Sequence, residues 1–245
     1  MSVFPQNVAT QARLRYEESI AGVADFEFSM GANTSRIYFE DPKLLLFTLS
    51  RYKFVAKMLA GRSRALEVGC QEAFGSQLVA KAVDHLHCVD FYKPHIDSCL
   101  RRFANTQVNM SFEHGDVLSG VGEGQFDAVF ALDVLEHISK TDEGTFMASV
   151  CRSLRPGGIL VLGMPSLESQ TYASERSRAG HVNCKSGDEL KKFVERYFST
   201  VLMFSMNDEV VHTGFFPMAH YLLVIGVSKT GDTDYDRQLL QTQTW

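Results

Sequence analysis

The stretch RALEVGCQEAFGSQLVAKAVDHLHCVD, residues 64–90, is the part of the sequence that decides the fold. It begins as a short apolar strand that ends near Glu67, turns at Gly69, continues as a helix and ends in a second apolar strand at Asp90. A glycine turn between a strand and a helix lets a ligand approach the backbone at the helix N-terminus. Asp90 lies about 20 residues after Glu67, where a carboxylate can accept hydrogen bonds from a ribose.

The same turn does not match the pattern that binds a dinucleotide. That pattern is G-x-G-x-x-G, whereas this loop is GCQEAFG, with Gln71 where the second glycine would stand. Glu67, just before the loop, would repel a diphosphate and suits a ligand that carries a cationic or amino group. The sequence therefore disfavours a nicotinamide-dependent dehydrogenase.

Strand and helix patterns alternate through the residues that follow. The apolar runs LHCVD, FDAVFAL and GILVLGMP are separated by helical patterns such as KPHIDSCLRRFA and TDEGTFMASVCRSL. This alternation predicts crossover connections and a parallel sheet. The last two apolar runs, STVLMFSMND and MAHYLLVIGVSK, have no helix-length segment between them, so we expect them to pair antiparallel at one edge.

Two segments precede the alternating region. Residues 41–61, DPKLLLFTLSRYKFVAKMLAG, have apolar residues at helical spacing and predict a helix, with Arg51 and Lys53 on its solvated face. Residues 23–41 predict a loop that is held by aromatic side chains.

Composition limits the classes of partner. The net charge is -5 and the pI is about 5.9, which disfavours binding to long nucleic acids. The five cysteines are scattered and form no C-x-x-C pair, which favours reduced thiols in the cytoplasm. The N-terminal residues contain no long apolar run, so we expect a cytoplasmic protein without a signal peptide or a membrane anchor.

Five motifs, in order, resemble those of the class I S-adenosylmethionine-dependent methyltransferases, in particular the small-molecule enzymes of types 11 and 23. They are LEVGC, HCVDFY, FEHGDV, FDAVFALDVLEHI and LRPGGILVLGMPS. The resemblance implies an α/β, Rossmann-like three-layer sandwich, whose mostly parallel seven-stranded sheet has a reversed C-terminal strand pair. It also implies S-adenosylmethionine as the cofactor.

The sequence has no clear linker, so we expect one domain, and the same resemblance sets the expected cofactor site. Residues 1–245 would form a single methyltransferase domain with an N-terminal helical and lid segment (1–62), a cofactor-binding core (63–165), and a substrate insert with the C-terminal β pair (166–230). Asp116 would face the adenine amine, and Val117 would offer it a backbone donor. The predicted cofactor-binding residues are Glu67, Gly69, Cys70, Gln71, Asp90, Phe91, Asp116, Val117 and Leu132.

The acceptor chemistry is expected around LDVLEHI and the insert that contains His181. A helical turn beginning at Asp133 would direct three side chains of this string to one side. The string resembles the E-x-x-E-H of the ubiquinone-pathway O-methyltransferases and of the small-RNA 3′-end 2′-O-methyltransferases, which implies a divalent metal. Three hypotheses remain open: general-base catalysis by His137 or His181, local packing alone, or a metal site made of Asp133, Glu136, His137 and His181.

The leading functional hypothesis is methyl transfer from S-adenosylmethionine to an oxygen or nitrogen of a small-molecule acceptor, such as a sugar, a nucleotide-sugar or a natural-product intermediate. One alternative is a methyltransferase for a protein or an RNA end, assisted by a divalent metal. A second alternative is a non-catalytic subunit that binds S-adenosylmethionine. The sequence leaves open whether the protein forms a homodimer.

Overall fold

The computed structural model describes residues 6–23, 27–122 and 125–230. Residues 1–5 of the predicted N-terminal segment, residues 24–26 of the predicted loop and residues 231–245 of the predicted domain lie outside the described residues. The helices are α1 (Gln6–Ala21), α2 (Ala32–Glu40), α3 (Lys43–Met58), α4 (Ser76–Ala80), α5 (Lys93–Phe103), α6 (Glu143–Ser153), α7 (Glu175–Gly180) and α8 (Gly187–Val194). The strands are β1 (Arg64–Val68), β2 (His85–Asp90), β3 (Met110–His114), β4 (Phe126–Leu132), β5 (Leu154–Pro165), β6 (Phe198–Asn207), β7 (Val210–His212) and β8 (Tyr221–Lys229).

The strands form one mixed sheet in the order β3-β2-β1-β4-β5-β8-β6-β7. Strands β1 to β5 are parallel, and β8 pairs antiparallel with both β5 and β6. The Rossmann-like α/β fold and the antiparallel pairing of the last two predicted strands are confirmed. Because β8 is antiparallel to both β5 and β6, β6 runs in the same direction as the parallel strands. The strands that run in the opposite direction are β7 and β8.

The sheet has eight strands in the described residues, one more than the seven that we expected. The additional strand, β7, is a three-residue segment that pairs with the end of β6 through Ser205, Met206 and Asn207. Three residues are too few to show the alternating pattern by which a strand is predicted.

Helices cover both faces of the sheet, as the three-layer prediction requires. Alternate residues of β1 face opposite sides: Ala65 packs with the residues of α3, α4 and α5, whereas Leu66 packs with those of α6 and α8. The two apolar layers leave the carboxyl ends of the parallel strands uncovered. Among the described residues, no helix combines the length and the apolar character that crossing a bilayer requires.

Helix α2 occupies part of the segment that we predicted to be a loop, so this prediction was wrong. The carboxylate of Glu72 accepts hydrogen bonds from the backbone N–H groups of Asn33 and Thr34, both at 3.1 Å. These N–H groups lie in the first turn of α2 and have no partner within the helix. The cap comes from a residue almost 40 positions away, and sequence patterns detect only local caps.

Replacing Glu72 with glutamine is expected to destabilise α2. A glutamine keeps one carbonyl oxygen and loses the charge that favours the helix N-terminus, so we expect a loss of about 1 kcal/mol. Hydrogen exchange at Asn33 and Thr34 should become faster. Glu40→Gln, at the other end of α2, removes the same charge from a surface ion pair with Arg36 and should leave exchange there nearly unchanged; equal effects of the two changes would contradict the capping role.

Candidate active site

A cavity of about 560 Å³ opens at the carboxyl ends of the parallel strands. Its wall contains Gly69 after β1, Asp90 at the end of β2, Asp116 after β3 and Asp133 after β4. Ligands of open α/β sheets bind at this edge. Six of the nine predicted cofactor-binding residues line the cavity: Gly69, Gln71, Asp90, Phe91, Asp116 and Val117.

The loop after β1 is shaped by Asp90. The backbone N–H of Gln71 donates to Oδ2 of Asp90 at 2.8 Å, and the N–H of Tyr92 donates to Oδ1 at 2.8 Å. Gln71 has a left-handed backbone, with φ of 47°, and Gly69 has φ of 79°. A Cβ on Gly69 would lie 2.4 Å from Cγ2 of Val134, so a larger residue does not fit there. Asp90 thus accommodates Gln71 in a loop where a second glycine is usual.

Glu67, Cys70 and Leu132 are buried beside the cavity and do not line it. The Glu67 side chain is on the α3 side of the sheet, where Oε1 accepts a hydrogen bond from the hydroxyl of Tyr52 at 2.6 Å and Oε2 accepts one from the thiol of Cys88 at 3.6 Å. Burial raises the pKa of Glu67 to about 7. The alternation of side chains along β1 explains why this acid packs under the helices.

Replacing Glu67 with glutamine is expected to change how stability depends on pH. The carboxyl has a pKa of about 7 in the folded chain, compared with an ordinary value of 4.5. Its contribution to stability is therefore complete below about pH 4.5 and is lost as the pH rises through 7. The difference between these two pKa values corresponds to a loss of about 3 kcal/mol in the free energy of unfolding between low and high pH. A glutamine never ionises, so Glu67→Gln does not lose this stability. Its melting temperature should therefore rise relative to that of the wild type as the pH is raised from 5 to 8.

The control for this change is Glu209→Gln, which alters an exposed acid in the turn between β6 and β7. Its melting temperature should follow that of the wild type at each pH. A constant difference between Glu67→Gln and the wild type over this range would contradict the burial argument.

His95 lines the cavity and was missed from the sequence. Its Nδ1 lies 3.5 Å from Oδ1 of Asp90, and its ring packs edge-to-face against Tyr92 with 4.9 Å between the centroids. The residue is in the first turn of α5, directly after the β2 end that carries Asp90. That position, in the first helical turn after the acidic strand end, was the signal that could have identified it.

A second group of polar side chains lies beyond the end of β4, and one of its members, His137, lines the cavity. Glu136, His137 and His181 each offer a ligand atom, and these atoms lie within 4.8 Å of one another. Nδ1 of His137 is hydrogen bonded to the carbonyl of Gly180 at 2.8 Å, and Nδ1 of His181 to Oε1 of Gln170 at 2.8 Å. These bonds orient the two rings and leave the Nε2 atoms for a substrate or an ion.

Glu136 is fully buried, and within the described part of the chain neither of its carboxylate oxygens has a hydrogen-bond partner. Burial and the neighbouring Asp133 raise the pKa of this carboxyl well above its ordinary value. Its backbone oxygen accepts hydrogen bonds from Val182 at 2.8 Å and Asn183 at 3.0 Å. The residue therefore holds the insert in place with its backbone, while its side chain is available for a cation.

The insert is also fixed to α6. The ammonium of Lys185 donates to the carboxylate of Glu143 at 2.6 Å, and the amide of Asn183 donates to the same oxygen at 3.0 Å. Lys185 and Asn183 are both buried. These contacts explain how His181, more than 40 residues after His137, comes to lie beside it.

Asp133 is separate from this cluster, so the predicted metal set lacks one of its four members. The helical turn does not begin at Asp133, which has a left-handed backbone with φ of 56°; a 3₁₀ turn follows at Leu135–His137. Nη1 of Arg51 donates to both carboxylate oxygens of Asp133, at 2.8 and 3.1 Å. The predicted solvated position of Arg51 was therefore wrong, because this partner 82 residues away draws it inward.

The family comparison matches the region that forms the cavity. Residues 65–158 match the model of a family described as a methyltransferase domain. This region runs from β1 into β5 and includes Gly69, Asp90, Asp116 and Glu136.

The individual proteins with similar sequences include methyltransferases. A probable S-adenosylmethionine-dependent methyltransferase of Mycolicibacterium smegmatis is 27% identical over 47% of this chain and 42% of its own length. A ubiquinone biosynthesis O-methyltransferase of Caulobacter vibrioides is 22% identical over 73% of this chain and 71% of its own. The chain thus spans less than half the length of the Mycolicibacterium relative.

Among solved structures, the fold is similar to that of the N-methyltransferase NodS from Bradyrhizobium japonicum, which was crystallised in complex with S-adenosyl-L-homocysteine. The TM-score is 0.60 and the identity is 18%, and the alignment covers 81% of this chain and 94% of NodS. At this identity the likeness shows a common fold.

Proposed function

We propose that this chain, whose residues 65–158 match the model of a methyltransferase domain, transfers the methyl group of S-adenosylmethionine to a hydroxyl or amino group of a small molecule. The observation that carries the proposal is the cavity at the carboxyl ends of the parallel strands, with an acid at the end of β2 and another after β3. A cavity of about 560 Å³ is in the usual range for a small ligand.

The cofactor would lie across the ends of β1, β2 and β3. Asp90 would accept hydrogen bonds from the ribose hydroxyls with the lone pairs that its backbone donors leave open. Asp116 would accept from the adenine amine, and the backbone N–H of Val117 would donate to the adenine ring. The exposed ring of Phe91 is on the cavity wall, where it can cover one face of the adenine.

The reacting methyl group would point to the β4 end of the cavity. The sulfonium is already an activated donor, so the protein needs to align the acceptor and remove a proton. Burial and the neighbouring His137 lower the pKa of His181, which favours the neutral imidazole that can accept a proton. An acceptor hydroxyl or amino group loses a proton on methylation, and this imidazole would take it up.

A second candidate function is metal-assisted methyl transfer, including transfer to the hydroxyl of a macromolecule. Glu136, His137 and His181 fit a divalent cation because two imidazoles and a carboxylate are a common donor set, and the Glu136 oxygens have no other partner in the described residues. A cation held there would lower the pKa of a bound acceptor hydroxyl. The net charge of -5 favours a small acceptor over a long polyanion.

The test begins with calorimetric titration of the protein with S-adenosyl-L-homocysteine. We expect micromolar binding, and no binding would contradict the cofactor assignment. Incubation with methyl-labelled S-adenosylmethionine and a cell extract then identifies the acceptor class. Label in small metabolites supports the proposal, label in protein or RNA supports the second candidate, and binding without any transfer indicates a non-catalytic subunit.

A further inference from the structure

We infer that Arg51 withholds Asp133 from the ion site, so that the site holds a divalent cation through three side chains, Glu136, His137 and His181. This inference rests on the ion site of the second candidate function. It assigns a role to a residue outside the family motifs: Arg51 determines how many protein ligands the ion receives. Three ligands leave coordination positions for an acceptor oxygen, as in catalytic metal sites, whereas a fourth would close the site further.

The carboxylate of Asp133 is bonded to Arg51. Both of its carboxylate oxygens accept from Nη1 of Arg51. The guanidinium is itself fixed, because it lies over the ring of Tyr221 at 3.7 Å from the centroid and its side chain is 16% exposed. A half-buried pair of this kind is screened less by solvent than a surface ion pair.

The backbone of Asp133 also differs from that of a helical residue. Its N–H donates to the carbonyl of Gly163 on β5 at 3.0 Å, and its φ of 56° is in the left-handed region. Glu136 and His137 follow in the 3₁₀ turn Leu135–His137. The change of backbone direction at Asp133 precedes the turn that carries Glu136 and His137, and the Asp133 carboxylate is bonded to Arg51 of α3 rather than grouped with the ligand atoms of that cluster.

The charge around the ion site also depends on Arg51. Arg51 offsets part of the charge of Asp133, so the ion would be ligated by one carboxylate, that of Glu136, instead of two. Fewer charged ligands give a weaker and more readily exchanged ion. The orphaned oxygens of Glu136 are then the main electrostatic attraction for the cation.

The test is calorimetric titration of the full chain with Mn²⁺, which has little affinity for cysteine thiols. Arg51→Met removes the guanidinium and frees Asp133 to become a fourth ligand. We expect Mn²⁺ to bind this variant about tenfold more tightly or more, the scale on which neighbouring groups change metal affinity. Lys53→Met removes the same charge from an exposed position of α3 and should leave the affinity unchanged.

A double-mutant cycle separates ligation from simple charge removal. If Asp133 becomes a ligand, Asp133→Asn should weaken Mn²⁺ binding much more in the Arg51→Met background than in the wild type. Equal effects in the two backgrounds, or no tightening in Arg51→Met, would overturn the inference. Melting curves verify folding, and Arg51→Gln serves as a second variant that keeps a polar group.

The outcomes also distinguish this inference from the proposed function. If neither the wild type nor Arg51→Met binds Mn²⁺, the ion site and the role of Arg51 both fail, while methyl transfer is decided separately by the titration with S-adenosyl-L-homocysteine. Binding by Arg51→Met alone would overturn the inference, because the three ligands of the wild type would then be too few to hold the ion.

Discussion

Asp90→Ala is expected to abolish most of the affinity for S-adenosyl-L-homocysteine. The change removes the acceptor of the Gln71 and Tyr92 N–H groups as well as the proposed ribose contacts. The variant loses hydrogen bonds to a charged acceptor and also the loop conformation that these bonds stabilise. We expect the binding free energy to fall by about 3 kcal/mol, which makes binding roughly 100-fold weaker. Calorimetric titration of wild type and variant measures this directly.

The matched control for Asp90→Ala is Asp97→Ala. Asp97 is an acid on α5, in a surface ion pair with Lys93, so the control removes the same charge from a nearby position. It should bind the ligand as the wild type does. A folded Asp90→Ala protein with unchanged affinity would refute the ribose assignment, and an equal loss in both variants would indicate a general effect of charge.

Glu136→Met is expected to stabilise the protein and to inactivate it. In the metal-free protein the buried carboxyl has no partner in the described residues, so an apolar side chain of similar length removes an unfavourable burial. The gain should be about 1–3 kcal/mol, which raises the melting temperature by about 2–10 °C. Methyl transfer should fall by about 100-fold or more if the carboxylate holds the ion, since even outer-shell changes have effects of 10- to 100-fold.

Two measurements assess this prediction, namely melting in the presence of a chelator and turnover with and without added Mn²⁺. If the ion assists transfer, wild-type turnover should be lost on chelation and restored by the metal, whereas the residual turnover of Glu136→Met should respond to neither. Glu209→Met, at an exposed turn, should change neither quantity. A variant that is less stable than the wild type, or fully active, would show that Glu136 has a partner and a role other than the one assigned here.

The order of strands and helices from residue 64 onwards was predictable because it depends on local patterns. The strand FDAVFAL corresponds to β4 without any shift, and the glycine turn and Asp90 come where the alternation of strand and helix requires a ligand edge. In a parallel sheet every strand of the set ends at the same edge. Knowing the order of elements was therefore enough to bring Asp90 and Asp116 to one cavity.

Residues whose roles depend on distant partners were not predictable in this way. Glu72 caps a helix 38 residues earlier in the sequence. Arg51 forms an ion pair with Asp133 and is mostly buried instead of exposed to solvent. Glu67 is in a motif that suggests a ligand contact, yet its side chain packs under α3 beside Tyr52. A single sequence carries no record of which side chains meet across the sheet.

Local periodicity, turn residues and the spacing of acids along the chain thus determined the fold class and the edge where a ligand binds, because these properties arise from neighbours in sequence. Tertiary packing decided the composition of the acceptor end. It brought His181 to His137 through the contacts of the insert with Glu136 and Glu143, and it turned Asp133 towards Arg51. Such choices depend on long-range hydrogen bonds and ion pairs, whose energies are set by burial and distance in the folded chain.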